Sequence, residues 1–179
     1  MCISIVDILI KIISLGFVIF GSVIAYKTLK KNHEWNRRKS TQEVLKVLVL
    51  GDYPKFSKTL LDYDIKPFSK DESFNTTLPQ IGDEKIKNEI IYATKSIFNL
   101  FEFIAINIKN NTIDENICYD YLGWMYVEYY RWGKDYISQE QQKGNDERIL
   151  GNFSELAEKW TGRLRGERKP AKINGSKKI

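Results

Sequence analysis

The arrangement of apolar and polar positions divides the chain into three regimes. Residues 8 to 26 read ILIKIISLGFVIFGSVIAY, nineteen positions with Lys11 as the single charge. Apolar residues fall on every side of a helix drawn through them. At about 1.5 Å per residue such a helix covers roughly 28 Å, the thickness of a bilayer's hydrocarbon core. Lys11 lies near one end, where it can reach the headgroups. A cleavable signal peptide wants a basic start and a small-residue cleavage site. This run instead starts beside Asp7 and leads directly into a basic segment. A buried core helix would tolerate this apolarity too, but nineteen near-continuous apolar positions with no amphipathic face fit a membrane span better. The pattern therefore predicts a single transmembrane helix.

From residue 27 the pattern becomes helical and amphipathic. Nothing in KTLKKNHEWNRRK (27–39) breaks a helix, so the membrane helix is expected to continue to about Lys39. Ser40, three residues before Glu43, offers a capping box for a new short helix that ends at Gly51. Pro54 marks the next start, with Phe56, Leu60 and Leu61 facing inward over 54–63. Residues 64–82, with Pro67, Pro79 and Gly82 among polar residues, read as a nineteen-residue loop. Such a length is unusual unless the loop is functional or poorly ordered.

Asp83 is placed to cap a helix over about 84–109, which is apolar on most sides after Ile97 and so is expected to be central. Lys95 and Glu102 make it a poor second span. After Asn110, Asn111 and Thr112, Asp114 is expected to cap a strongly aromatic helix over 115–139. Asp146 is expected to cap a last one, to about Gly162, with Ile149, Phe153, Leu156 and Trp160 on one face. Period-two alternation is missing from the whole sequence. The predicted class is all-α: one N-terminal transmembrane helix (1–39 with its basic extension), a small cytoplasmic helical bundle (40–162), no sheet, and a basic, disordered tail (163–179).

Charge sharpens this picture. The whole chain of 179 residues carries a formal +5, but 27–39 alone carries +5 and 163–179 carries +6, leaving 40–162 at −6. Lys27, Lys30, Lys31, Arg37, Arg38 and Lys39 flank the span on its C-terminal side. The positive-inside rule then puts the N-terminus outside and the main domain in the cytoplasm. These bases, with Trp35 as an interfacial ring, are the expected lipid contacts. An acidic fold with basic flanks argues against a nucleic-acid-binding domain, which carries its basic surface on the fold. The tail alone could lie on the membrane, on nucleic acid or on the acidic bundle.

Candidate chemistry is sparse. Cys2 and Cys118 sit too far apart in sequence for a metal motif, and unpaired thiols agree with a reducing compartment. His33, the only histidine, falls in the basic run and is expected to be a solvated helix residue. Phosphate-binding, dinucleotide and metalloprotease motifs are missing from the sequence, so no catalytic residue, cofactor, metal or small-molecule substrate is expected. Glu102 interrupts an apolar run and needs a partner, with Arg131 on the next helix or Tyr hydroxyls the candidates. Glu128, Arg131 and Asp135 share a polar stripe on the next helix. Glu102, Glu128, Arg131 and Asp135 are expected to form a structural network that fixes helix register. An enzyme site around Glu102 and Arg131 is the weaker rival.

Ser14, Gly21 and Ala25 give the membrane helix a small-residue face for packing against another helix. Eight aromatic residues between 119 and 136 are too many for one buried stripe. Tyr121, Trp124, Tyr130 and Trp132 are therefore the expected contacts for a protein partner.

The segments HEWNRRKSTQE (33–43) and FNLFEFIAINIKNNTID (98–114), behind one apolar span and followed by Trp160, resemble a domain-of-unknown-function family of small bacterial and phage proteins. The resemblance implies a helical domain held at the bacterial inner membrane by one N-terminal helix, with no assigned activity. The expected function is non-enzymatic: binding a protein partner, or self-assembly, at the membrane. The alternative is a membrane-acting effector or regulator, for example in phage exclusion or defence, that oligomerises through its membrane helix.

Overall fold

The computed structural model describes residues 5–69 and 72–167, with side chains described from residue 14 onward. Six α-helices follow one another: α1 (Ile5–Leu50), α2 (Asp52–Asp62), α3 (Phe74–Thr77), α4 (Glu84–Lys109), α5 (Glu115–Gly144) and α6 (Gly151–Glu167). A 3₁₀ turn, Leu78–Gln80, follows α3, and no strand occurs among the described residues. The chain divides into two compact units, residues 1–39 and 40–179.

The first unit is helix throughout its described length. Leu15, Phe17, Val18, Ile19, Phe20, Val23 and Ile24 are all exposed on it, and they point to every side. Among the described residues no helix is long and apolar enough to cross a membrane. Residues 8 to 13 of the span expected at 8–26 lie outside those whose side chains are described. Ser14, Gly21 and Ala25 are exposed, and a methyl group added at Gly21 would meet nothing within 4 Å. Lys39 lies 5.6 Å from the centre of the Trp35 ring.

In the second unit, Ser40 and Glu43 do not start a helix: α1 runs through them to Leu50. Neither Gly nor Pro stands there to break it, and Thr41 has another use. Its fully buried hydroxyl accepts a hydrogen bond from the Asp114 backbone N–H at 2.7 Å. Gly51 is the break before α2. Asp83 and Asp114 cap α4 and α5, accepting from the backbone N–H groups of the second and third helical residues, Lys85 and Ile86 in one case and Asn116 and Ile117 in the other.

The stretch 64–82 is not structureless. Ser73 and Thr76 form a capping box that nucleates α3. Phe74, 2% exposed, then drives into α5, its ring 5.2 Å from Trp132 and 4.5 Å from Tyr136. Burying one aromatic ring is worth about 2–3 kcal/mol.

The core lies where α4, α5 and α6 meet. Phe98, Phe101, Tyr126, Phe153 and Trp160 are wholly buried there. Phe153 contacts Phe98 and Phe101 at 5.4 Å, and Tyr126 contacts Phe153 and Trp160 at 4.8 Å, the tilted and edge-on geometries aromatic rings prefer. The Tyr126 hydroxyl donates to the Phe101 carbonyl at 3.1 Å, so its polar end is satisfied. Gly133 leaves room for the Phe98 ring of α4 against α5, since a Cβ there would stand 2.1 Å from the end of that ring.

Candidate functional site

Glu102 does not meet Arg131. It projects from α4 to the start of α6 and serves that helix as an external cap. Its carboxylate accepts from the Asn152 side-chain amide at 2.7 Å and from the backbone N–H groups of Asn152 at 3.4 Å and Phe153 at 2.6 Å. A carboxylate at a helix N-terminus satisfies orphan donors and opposes the positive end of the helix dipole. Asp146, expected to cap this helix, instead binds the backbone and guanidinium of Arg148 at 2.9 Å. The chain then passes through Leu150 in the left-handed region, φ 54°, before α6 begins at Gly151. Ile149, expected on the buried face, precedes the helix and is half-exposed, whereas Phe153, Leu156 and Trp160 are buried.

Arg131 has a different task. Its Nε donates to Glu128 at 2.8 Å, and its Nη2 donates to the carbonyls of Ser69 at 2.5 Å and Pro67 at 3.4 Å. Arg131 therefore latches the start of the strap 64–82, at Pro67 and Ser69, to α5. Asp135 is exposed and stands outside both arrangements. The expected four-residue network is thus two separate devices, an inter-helix cap and a loop latch. Both bind backbone groups, whose positions a sequence does not display.

The latched strap closes one side of a pocket of about 400 Å³, lined by Tyr53, Leu60, Leu61, Ile65, Phe68 and Tyr129. Burial raises the pKa of Tyr53, which a hydrogen bond with Tyr129 partly offsets; burial likewise raises that of Tyr129. Both phenols are neutral at pH 7 and serve as hydrogen-bonding groups, not as bases. Lys66 at the mouth lies 2.9 Å from Asp64, both exposed. The pocket could take a small apolar group with one polar contact, at the small end of the usual range for ligand sites. A second, apolar groove of about 250 Å³ runs between the C-terminal end of α1 and α4, lined by Val44, Val47, Leu48, Leu100 and Phe103. Sequence reasoning missed both. The signal for the groove was present: six of the seven residues of VLKVLVL are apolar, more than one buried stripe needs.

The four aromatic residues expected at a partner surface divide evenly. Trp132 and Tyr130 are buried, 1% and 8% exposed, and this corrects their expected role. Trp132 packs under Phe74, while the Tyr130 hydroxyl donates to Glu158 at 2.9 Å. Tyr121 and Trp124 remain exposed, at 74% and 49%, and Phe68 of the strap lies 4.9 Å from the Trp124 ring. Helix α6 extends to Glu167, past the expected end at Gly162. The Arg163 guanidinium stacks 3.6 Å from the centre of the Tyr119 ring, and Glu167 accepts from the Tyr119 hydroxyl at 2.8 Å. Only 168–179 of the expected tail lie outside the described residues.

No curated protein and no solved structure matches the chain. One family model does, over residues 2–160, reaching from ahead of the apolar run to the last core tryptophan. The chain belongs to the family described as Domain of unknown function (DUF4760).

Proposed function

We propose that this protein is a single-pass membrane-anchored interaction module, with residues 8–26 in the bilayer and the helical bundle on the cytoplasmic side. The observation that carries this reading is the exposure of large apolar side chains around the whole circumference of α1, including Leu15, Phe17, Ile19, Phe20 and Ile24. A soluble surface does not hold so long an apolar stretch without a partner. The six bases that follow fit the headgroups of the cytoplasmic leaflet. The role of the bundle is to bind a protein, or a second copy, near the membrane. Two exposed features support this: the Tyr121 and Trp124 rings, and the apolar groove beside Phe103. Glu102 and Arg131 are both engaged in structural bonds, with the start of α6 and with the carbonyls of Pro67 and Ser69.

Membrane extraction tests the anchor. The full chain is expected to stay with the membrane through alkaline carbonate and to leave it only with detergent. Release by carbonate overturns the reading. Co-purification from mild detergent then distinguishes a stoichiometric partner from a homo-oligomer. An oligomer abolished by Gly21→Leu would favour the effector alternative, in which Ser14, Gly21 and Ala25 form the packing face.

A further inference from the structure

The pocket between α2, the start of the strap and Tyr129 has an apolar wall and few polar groups. Leu60 and Ile65 in it are buried. The Tyr129 ring meets those of Tyr53 and Phe68 edge to face, at 6.3 and 5.3 Å. Its volume is about 400 Å³. A cavity of about 150 Å³ holds benzene, so this one has room for a body of about ten carbons. The polar groups single out one kind of head. Among the described residues that line the pocket, Lys66 alone is charged. Asp64 beside it raises its pKa, so it is an ammonium at pH 7. Both members of that pair are exposed, so the pair is weak and leaves the ammonium open to a ligand. The Ser57 hydroxyl is engaged, donating to the Pro54 carbonyl at 3.2 Å. Tyr53 and Tyr129 share a hydrogen bond. Two phenols joined by one bond keep one O–H to donate elsewhere.

We propose that this pocket binds a small apolar monocarboxylate, its ring or chain among Leu60, Ile65, Phe68 and Tyr129 and its carboxylate on Lys66 and the available phenol. Shape and charge point the same way. The apolar wall takes the body, since burying it there removes apolar surface from water. A cation and a neutral donor are the groups left to meet the head, and both suit an acceptor-only anion. A cationic head would face Lys66, and no carboxylate lines the pocket among the described residues to offset it.

Three probes of nearly one shape test it: phenylbutyrate, phenylbutanol and phenylbutylamine. Each is titrated calorimetrically at pH 7 into the full chain in a zwitterionic detergent. The Ser57→Phe chain in the same micelles is the blank. Ser57 lines the pocket without belonging to the buried core, so the added ring fills the cavity while the fold stays, as an unchanged thermal midpoint verifies. Should that chain unfold, Leu61→Trp, at an exposed position of the same pocket, replaces it as the blank. Phenylbutyrate is expected to bind one per chain with a Kd of about 0.1 mM, as its few non-hydrogen atoms allow. It should bind about tenfold more tightly than the alcohol. Lys66→Met should cut that preference to about twofold and leave the alcohol's affinity as it was. Tyr53→Phe should weaken phenylbutyrate about fivefold. Equal affinity for the three probes overturns the proposal. Tighter binding of the amine overturns it in favour of an aromatic site for cations. Equal heats from the full chain and the filled chain also overturn it, since the probe then enters the micelle only. The difference between open and filled chains is the same whether or not α1 crosses a bilayer, so this inference and the anchor reading fail separately.

Discussion

Single residues in this bundle matter chiefly through backbone groups they satisfy. Glu102→Gln keeps an acceptor but removes the charge from the start of α6, and Glu102→Ala removes both. The alanine variant is expected to lose about 1–2 kcal/mol, the usual worth of a lost cap, in urea unfolding of the detergent-solubilised chain. Because Glu102 bonds the start of α6 and Arg131 bonds Glu128 and the strap, Glu102→Ala and Arg131→Met should add in a double-mutant cycle to within about 0.5 kcal/mol. A larger coupling would restore the single network that the sequence suggested. Gly133→Ala drives a methyl group into Phe98, itself wholly buried, and should cost about 1–3 kcal/mol by overpacking. Burial pushes the Cys118 thiol up to about 12, aided by the nearby Asp114 and Glu115 carboxylates. Cys118 should therefore ignore maleimide at pH 7.5 in the folded chain and react once the chain is unfolded.

At the scale of elements, the same carboxylates set the response to pH. Burial by itself would raise the pKa of Glu115, but hydrogen bonds from the Lys159 ammonium and the Trp160 indole hold it below the usual glutamate value. Glu140 is likewise opposed by burial and held low by Lys143 and Lys95. A carboxylate whose folded pKa is lowered stabilises the fold above its unfolded pKa, near 4.3, and loses that contribution as pH falls through the lower folded value. The ties of α5 to α6 and of α5 to α4 should thus weaken below about pH 4, seen as a lower thermal midpoint at pH 3.5 than at pH 6, a difference that Glu115→Gln reduces. The strap behaves as a separate element. Phe74→Ala should open 64–82 to limited proteolysis and cost about 3–5 kcal/mol, whereas Arg131→Met should admit the protease with a smaller loss of stability. Its order was hard to see in the sequence because it rests on contacts with residues far along the chain, Phe74 with Trp132, Phe68 with Trp124 and Ser69 with Arg131. Helix starts at Asp83 and Asp114 were legible because a cap is a local event. Ser40 misled for the same reason: its local pattern suits a cap, but nothing nearby stops α1.

For the whole molecule, the anchor reading predicts that impermeant maleimide labels Cys2 in intact spheroplasts, with Cys118 protected by its burial. Labelling only after lysis would invert the topology. What the sequence by itself determined is everything that follows from period and local chemistry. The helical class, the apolar run at 8–26, the break at Gly51, the caps at Asp83 and Asp114 and the split of charge between bundle and flanks are all functions of near neighbours along the chain. Tertiary structure decided which long-range groups meet. It sent Glu102 to α6, gave Arg131 to the strap, buried Tyr130 and Trp132 and left Tyr121 and Trp124 outside. The physical reason is that an aromatic or charged side chain on a helix has the same local signature whether it faces the core or solvent. Only the packing of a second helix, or of a strap, against that face determines which it becomes.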